Sequence, residues 1–107
     1  MTSVFAPDLL KGKVALITGG GTGLGRAMGE RFLELGARLV ICGRREPVLA
    51  EAAREMMAAH GGEVLPIPCD IRDAAAVDAM IDQAWKHFGA VDILVNNAAG
   101  NIASPTE

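Results

Sequence analysis

Val14-Ala15-Leu16-Ile17-Thr18-Gly19-Gly20-Gly21-Thr22-Gly23-Leu24-Gly25 decides the reading of this chain. Four apolar residues in a row, without alternation, suit a strand covered on both faces, as in a parallel sheet. Glycines follow at once, and behind them comes a helical pattern. Leu24, Ala27, Met28, Phe32 and Leu35 fall on one face, with Arg26, Glu30, Arg31 and Glu34 largely off it. Gly36 is a stop signal for that helix. A glycine-rich turn between a buried strand and a helix has a physical use. Without side chains the backbone turns tightly, and a pyrophosphate can approach the helix N-terminus, where unpaired N–H groups and the positive end of the dipole hold an anion.

The same unit repeats along the chain. Arg38 to Cys42 reads as a second buried strand, and Pro47 suits the first turn of a helix reaching about His60. Gly61-Gly62 breaks that helix. Glu63 to Cys69 is a third strand, which Pro66 and Pro68 place near a sheet edge. Asp73 is an N-cap for a helix in which Val77, Met80, Ile81, Ala84 and Phe88 recur at helical spacing. Gly89 ends it, and Val91 to Val95 is a fourth strand running into Asn96-Asn97-Ala98-Ala99-Gly100. The βαβαβαβ alternation predicts a doubly wound α/β sheet of Rossmann type, with residues 1–107 as one dinucleotide-binding domain. The fourth strand belongs beside the first, and its outer edge is then unpaired. The expectation is therefore either a fold cut short after that strand or one completed by something outside these residues.

Composition narrows the function. The 107 residues are 50% hydrophobic and 21% charged, with a formal net charge of −3. That is a globular composition, and its mild acidity argues against nucleic-acid and anionic-membrane surfaces. No apolar run approaches the roughly 18–20 residues of a membrane span, and the N-terminal stretch lacks the apolar core of a secretory signal. Two cysteines, read as unbridged, suit a reducing cytoplasm. No spacing suggests a metal site. Cys42, Cys69, Met56, Met57 and Met80 read as core fillers, Trp85 as helix packing, and His60 and His87 as helix-end residues.

The turn has the form Thr18-Gly19-x-x-x-Gly23-x-Gly25. With Asp70 after the third strand and Asn96-Asn97-Ala98-x-Gly100 after the fourth, it resembles the short-chain dehydrogenase/reductase superfamily over nearly all of the chain beyond residue 11. The resemblance implies a nicotinamide dinucleotide on Gly19, Gly21, Thr22, Gly23, Leu24 and Gly25, with Asp70 and Ile71 at the adenine and Asn97 and Ala98 on the nicotinamide side. Charge argues the choice of cofactor. An NAD site carries an acidic residue about 20 residues beyond the loop, at the end of the second strand. Here that strand ends Cys42-Gly43-Arg44-Arg45, with Glu46 farther along. A guanidinium suits a 2′-phosphate, so NADP(H) is expected, with Arg44 as first choice and Arg45 second.

A narrower resemblance is to 2,4-dienoyl-CoA reductases. It rests on Thr18–Arg26, on Cys69-Asp70-Ile71-Arg72-Asp73, and on Asn96-Asn97-Ala98-Ala99-Gly100-Asn101 followed by Ser104-Pro105-Thr106-Glu107. It implies NADPH-dependent reduction of a conjugated dienoyl thioester in unsaturated fatty-acid β-oxidation, and a homotetrameric assembly. Asn101 would help hold the thioester, and Arg72 would reach a CoA phosphate. Ile102, where an aromatic often stands in that family, would touch substrate. The superfamily's usual proton donor is a tyrosine, and this chain has none. The donor is expected beyond Glu107, so these residues carry the cofactor half and not a complete catalyst. Two other functions fit the same residues: a short-chain dehydrogenase acting on an alcohol, ketone or sugar, and a non-catalytic NADPH-binding module.

Overall fold

The computed structural model describes residues 9–97. Four strands and three helices alternate: β1 (Val14–Thr18), α1 (Gly23–Glu34), β2 (Arg38–Gly43), α2 (Glu46–His60), β3 (Val64–Pro68), α3 (Ala74–Phe88) and β4 (Ile93–Asn96). All pairings are parallel, in the order β3-β2-β1-β4. β1 is flanked on both sides: Thr18 stands level with Cys42 of β2 and Asn96 of β4. The doubly wound α/β architecture expected from the alternation is what forms.

Both faces of β1 are covered, which is why it is apolar without a break. Ala15 and Ile17 of β1 join Leu39, Ile41 and Val64 on the face under α1 and α2, where Leu49, Ala52, Ala53 and Met56 meet them. Val14 and Leu16 join Val40, Cys42 and Ile67 on the opposite face, against Met80 and Ala84 of α3. Leu16, Ile17, Leu39 and Ile41 are fully buried, and each contributes about 1.5–3 kcal/mol over an exposed side chain. β3 lies at an edge, where Pro66 and Pro68 leave fewer donors to satisfy. Asp73 caps α3 as expected, its carboxylate accepting from the Ala75 and Ala76 amides. Gly89 ends α3 in the left-handed conformation, at φ 79°.

Three expectations change. The buried stripe of α1 is Gly25, Gly29 and Leu33, whereas Leu24, placed on the inner face by its hydropathy, is 68% exposed. The helix lies close at Gly29: a Cβ there would stand 2.9 Å from both Leu39 Cδ2 of β2 and Met56 Cε of α2, so those two side-chain ends would have to shift. Met57 and Trp85 are exposed rather than packed, because the stripes of α2 and α3 run through Met56 and through Met80 and Ala84. β4 begins at Ile93 and not Val91. Asp92 instead ties the start of the strand to β1, its carboxylate accepting from the Val14 amide at 2.9 Å while its own amide donates to the Val14 carbonyl at 2.8 Å.

Candidate dinucleotide-binding site

The carboxyl ends of the strands bring together most of the residues singled out by the sequence. Gly19 leaves β1 at φ 68°, its N–H donating to the Cys42 carbonyl at 2.8 Å, so the turn is anchored to the end of β2. Gly21 is buried against Leu49 and Val48 of α2, and Gly23 opens α1 at φ 58°. Thr22 stands at the N-cap position of α1, but its side chain makes no capping bond and the first turn holds no acidic residue. The first N–H groups of α1 are thus left for an anion, with the helix dipole behind them.

Gly25 shows how tightly this turn is drawn. A Cβ there would run into the Gly19 carbonyl and stand 2.8 Å from Asn97 Nδ2. That amide donates to the Gly19 carbonyl at 3.5 Å, joining the end of β4 to the turn. Next to it, the Thr18 hydroxyl bonds Asn96 Oδ1 at 3.1 Å across the β1–β4 pair. The missing side chain at 25 and the amide at 97 therefore meet at one carbonyl, which joins the Gly-rich turn to the end of β4.

The adenine-side expectations fall on the next two strand ends. Arg44 and Arg45 are exposed beyond β2, and Arg45 is the N-cap residue of α2. Cations at a helix N-terminus oppose the dipole, and Arg44 also faces the Asp70 carboxylate closely enough for its charge to act there. Asp70 lies past β3. Its carboxyl is held down to about 2, first by hydrogen bonds from the Arg72 side chain and backbone and further by the charges of Arg72 and Arg44. Ile71 lines a mainly apolar groove with Val77, Met80, Ile81 and Leu94, to which Thr18 and Asn96 also contribute. Arg72, expected at a CoA phosphate, is folded onto Asp70, its Nη2 2.9 Å from Oδ2. Ala98, Asn101 and Ile102 lie outside the described residues. Gly29 and Asp92 were missed by the sequence reading. Gly29 lies four residues beyond Gly25, and that helical spacing of small residues is the signal that marks a close approach.

Residues 13–107 match the family model described as short chain dehydrogenase. The chain belongs to this family. It is 49% identical over 102 residues to the peroxisomal 2,4-dienoyl-CoA reductase of Rattus norvegicus, covering 95% of this chain and 35% of that protein. The chain thus spans about a third of the length of this curated relative. Among solved structures it is similar to a citronellol catabolism dehydrogenase of Pseudomonas aeruginosa PAO1, with a TM-score of 0.83 and 36% identity, over 88% of this chain and 39% of that one. It is also similar to the L-sorbose reductase of Gluconobacter frateurii complexed with NADPH and L-sorbose, with a TM-score of 0.78 and 37% identity, over 83% of this chain and 34% of that one. Short-chain dehydrogenase folds of this kind are recorded with NADP and with NAD, so the cofactor must be argued from side chains. No helix among the described residues is long and apolar enough to cross a membrane.

Proposed function

We propose that residues 1–107 form the NADP(H)-binding part of a short-chain reductase acting on 2,4-dienoyl-CoA thioesters. The observation that carries the reading is the uncapped N-terminus of α1, drawn by Gly25 against the Gly19 carbonyl and the Asn97 amide. A Cβ would fill that cradle, and among the described residues no side chain caps the donors it exposes. Gly19, Gly21, Thr22, Gly23, Leu24 and Gly25 would hold the pyrophosphate, Asp70 and Ile71 the adenine, and Asn97 and Ala98 the nicotinamide side. When bound, the dinucleotide supplies a hydride.

The preference for NADP(H) rests on Arg44 and Arg45. Two cations follow the end of β2 where an NAD site would hold a carboxylate, and a 2′-phosphate would make a charge-assisted contact with a guanidinium there. The dienoyl-CoA assignment rests on the likeness to the rat reductase and on Asn101 and Ile102, carried over from the family pattern as thioester and substrate contacts. Arg72 reaches a CoA phosphate in this reading only through the guanidinium edge left free by Asp70. Homotetrameric assembly rests on the family resemblance. So does β-oxidation as the setting. The unbridged cysteines favour a reducing compartment such as the cytoplasm, while the rat relative's name is peroxisomal.

Calorimetric titration of the chain with NADPH and NADH tests the cofactor reading. NADPH is expected to bind about tenfold or more tightly, the worth of one hydrogen bond to a charged group, and Arg44→Ala is expected to erase the difference. Equal binding of the two by the wild type overturns the NADP preference, and binding of neither overturns the site. For the substrate class, a 2,4-dienoyl-CoA is expected to raise the melting temperature of the NADPH-loaded chain more than a simple ketone does. The reverse order supports the alcohol or ketone dehydrogenase instead.

A further inference from the structure

Asp70 is engaged before any ligand arrives. Arg72, two residues on, holds its carboxylate with three donors: the backbone N–H gives to Oδ1 at 3.0 Å, Nε to Oδ1 at 3.0 Å, and Nη2 to Oδ2 at 2.9 Å. An ionised carboxylate offers about four acceptor positions. Arg72 uses both on Oδ1 and one on Oδ2, which among the described residues leaves one position on Oδ2. The neighbouring carboxylate does not compete for Arg72, because Asp73 Oδ1 caps α3 through the Ala75 and Ala76 amides. Core packing does not set this geometry either: the Arg72 side chain is 73% exposed. Among the described residues Asp70 is its hydrogen-bonding partner, and the two-residue spacing together with the backbone bond makes the arrangement local and preformed.

We propose that Arg72 is a positioning residue for base recognition. Its fork fixes the Asp70 carboxylate and leaves a single Oδ2 acceptor, so that the site takes a purine bearing a 6-amino donor and rejects a 6-oxo purine. The inference deepens the dinucleotide reading above and rests on it. An acceptor-only carboxylate has nothing to offer a 6-oxo group, whose lone pairs would face it unpaired, and the cost of that mismatch is the source of the selection. A carboxylate free to rotate would present either oxygen at several angles, and would bind the amino group less well while accepting the N1–H of the 6-oxo base.

The test compares NADPH with its hypoxanthine counterpart, in which the 6-amino group is replaced by oxygen, binding to the chain as wild type, Arg72→Ala, Arg72→Lys and Asp70→Asn. Wild type is expected to prefer NADPH about tenfold. Arg72→Ala is expected to lower that ratio to about two- to threefold, with a melting temperature close to wild type because the side chain is exposed. Arg72→Lys, which keeps the charge but lacks the planar fork, is expected to lose the ratio as well. An unchanged ratio in Arg72→Ala overturns the proposal. So does equal weakening of both dinucleotides, which assigns Arg72 a general electrostatic role, and so does a ratio fully kept by Arg72→Lys. Binding of neither dinucleotide by the wild type is a distinct result: it removes the dinucleotide reading, and this inference with it.

Discussion

Replacing Gly25 by alanine should damage both the fold and the cofactor site, and the structure sets the scale. The new methyl would stand 2.8 Å from Asn97 Nδ2, against the roughly 3.5 Å or more of an ordinary contact, so the amide would have to retreat by about 0.7 Å. On its other side lies the Gly19 carbonyl, a backbone oxygen that cannot swing aside as a side chain would. Overpacking of this kind costs about 1–3 kcal/mol, with the upper end expected against rigid backbone. The gain in helix propensity from glycine to alanine, at most about 1 kcal/mol, offsets part of it. A net loss of roughly 2 kcal/mol remains, about 8–16 °C in melting temperature for a domain of this size.

Gly21→Ala is the matched control. Its Cβ would meet Leu49 Cδ2 at 3.3 Å, the mobile end of a side chain, and its cost should stay below about 1 kcal/mol. Urea unfolding followed by far-ultraviolet circular dichroism measures both variants, and an NADPH titration below the melting temperature measures the site. Gly25→Ala should also lose most of its NADPH binding, since α1 can relieve the contact only by moving its first turn away from the end of β1. Equal unfolding midpoints for the two variants would refute the reasoning, as would an intact NADPH affinity in Gly25→Ala.

Other expectations are simpler to state. Asp73→Ala removes the α3 cap and should cost about 1 kcal/mol, read as a fall in the urea midpoint at unchanged slope; no fall would mean the cap is replaced by water at no cost. Burial pushes the Cys42 thiol up to about 11 and raises Cys69 as well. A native thiol that keeps its proton while the unfolded one loses it near pH 8.5 makes stability fall as pH rises above that value. Ellman's reagent at pH 8 should therefore label the folded chain slowly and the urea-unfolded chain at once; rapid labelling of the folded chain contradicts this burial. Asp70, held near 2 by Arg72, stays an ionised acceptor throughout mild acid. NADPH affinity should accordingly show no Asp70-dependent step between pH 4.5 and 7, and such a step, abolished by Asp70→Asn, would overturn that assignment.

Elements with their own chemical punctuation were legible in the sequence. Strand ends marked by glycine, the Asp73 cap, the Gly89 stop and the proline-bearing edge strand all appear where composition placed them, because each is decided within a few residues. The α1 face was not legible by hydropathy. Burial there depends on how closely the helix approaches β1 and β2, and a hydropathy count gives little weight to the glycines that permit the approach. Leu24 looks like an inward residue and is exposed; Gly25 and Gly29 look neutral and are buried. The fork on Asp70 was hidden for a different reason. The sequence suggests a separate ligand for each of Asp70 and Arg72, whereas in the fold the two engage each other.

The most direct test of the central claim is a backbone amide NMR titration of the ¹⁵N-labelled chain with NADPH. The account requires the largest shifts at Gly19 to Arg26, at Arg44 and Arg45, at Asp70 and Ile71, and at Asn97, all at the carboxyl ends of the strands. Shifts concentrated instead on the outer face of α3, or a spectrum unmoved by millimolar NADPH, would contradict it.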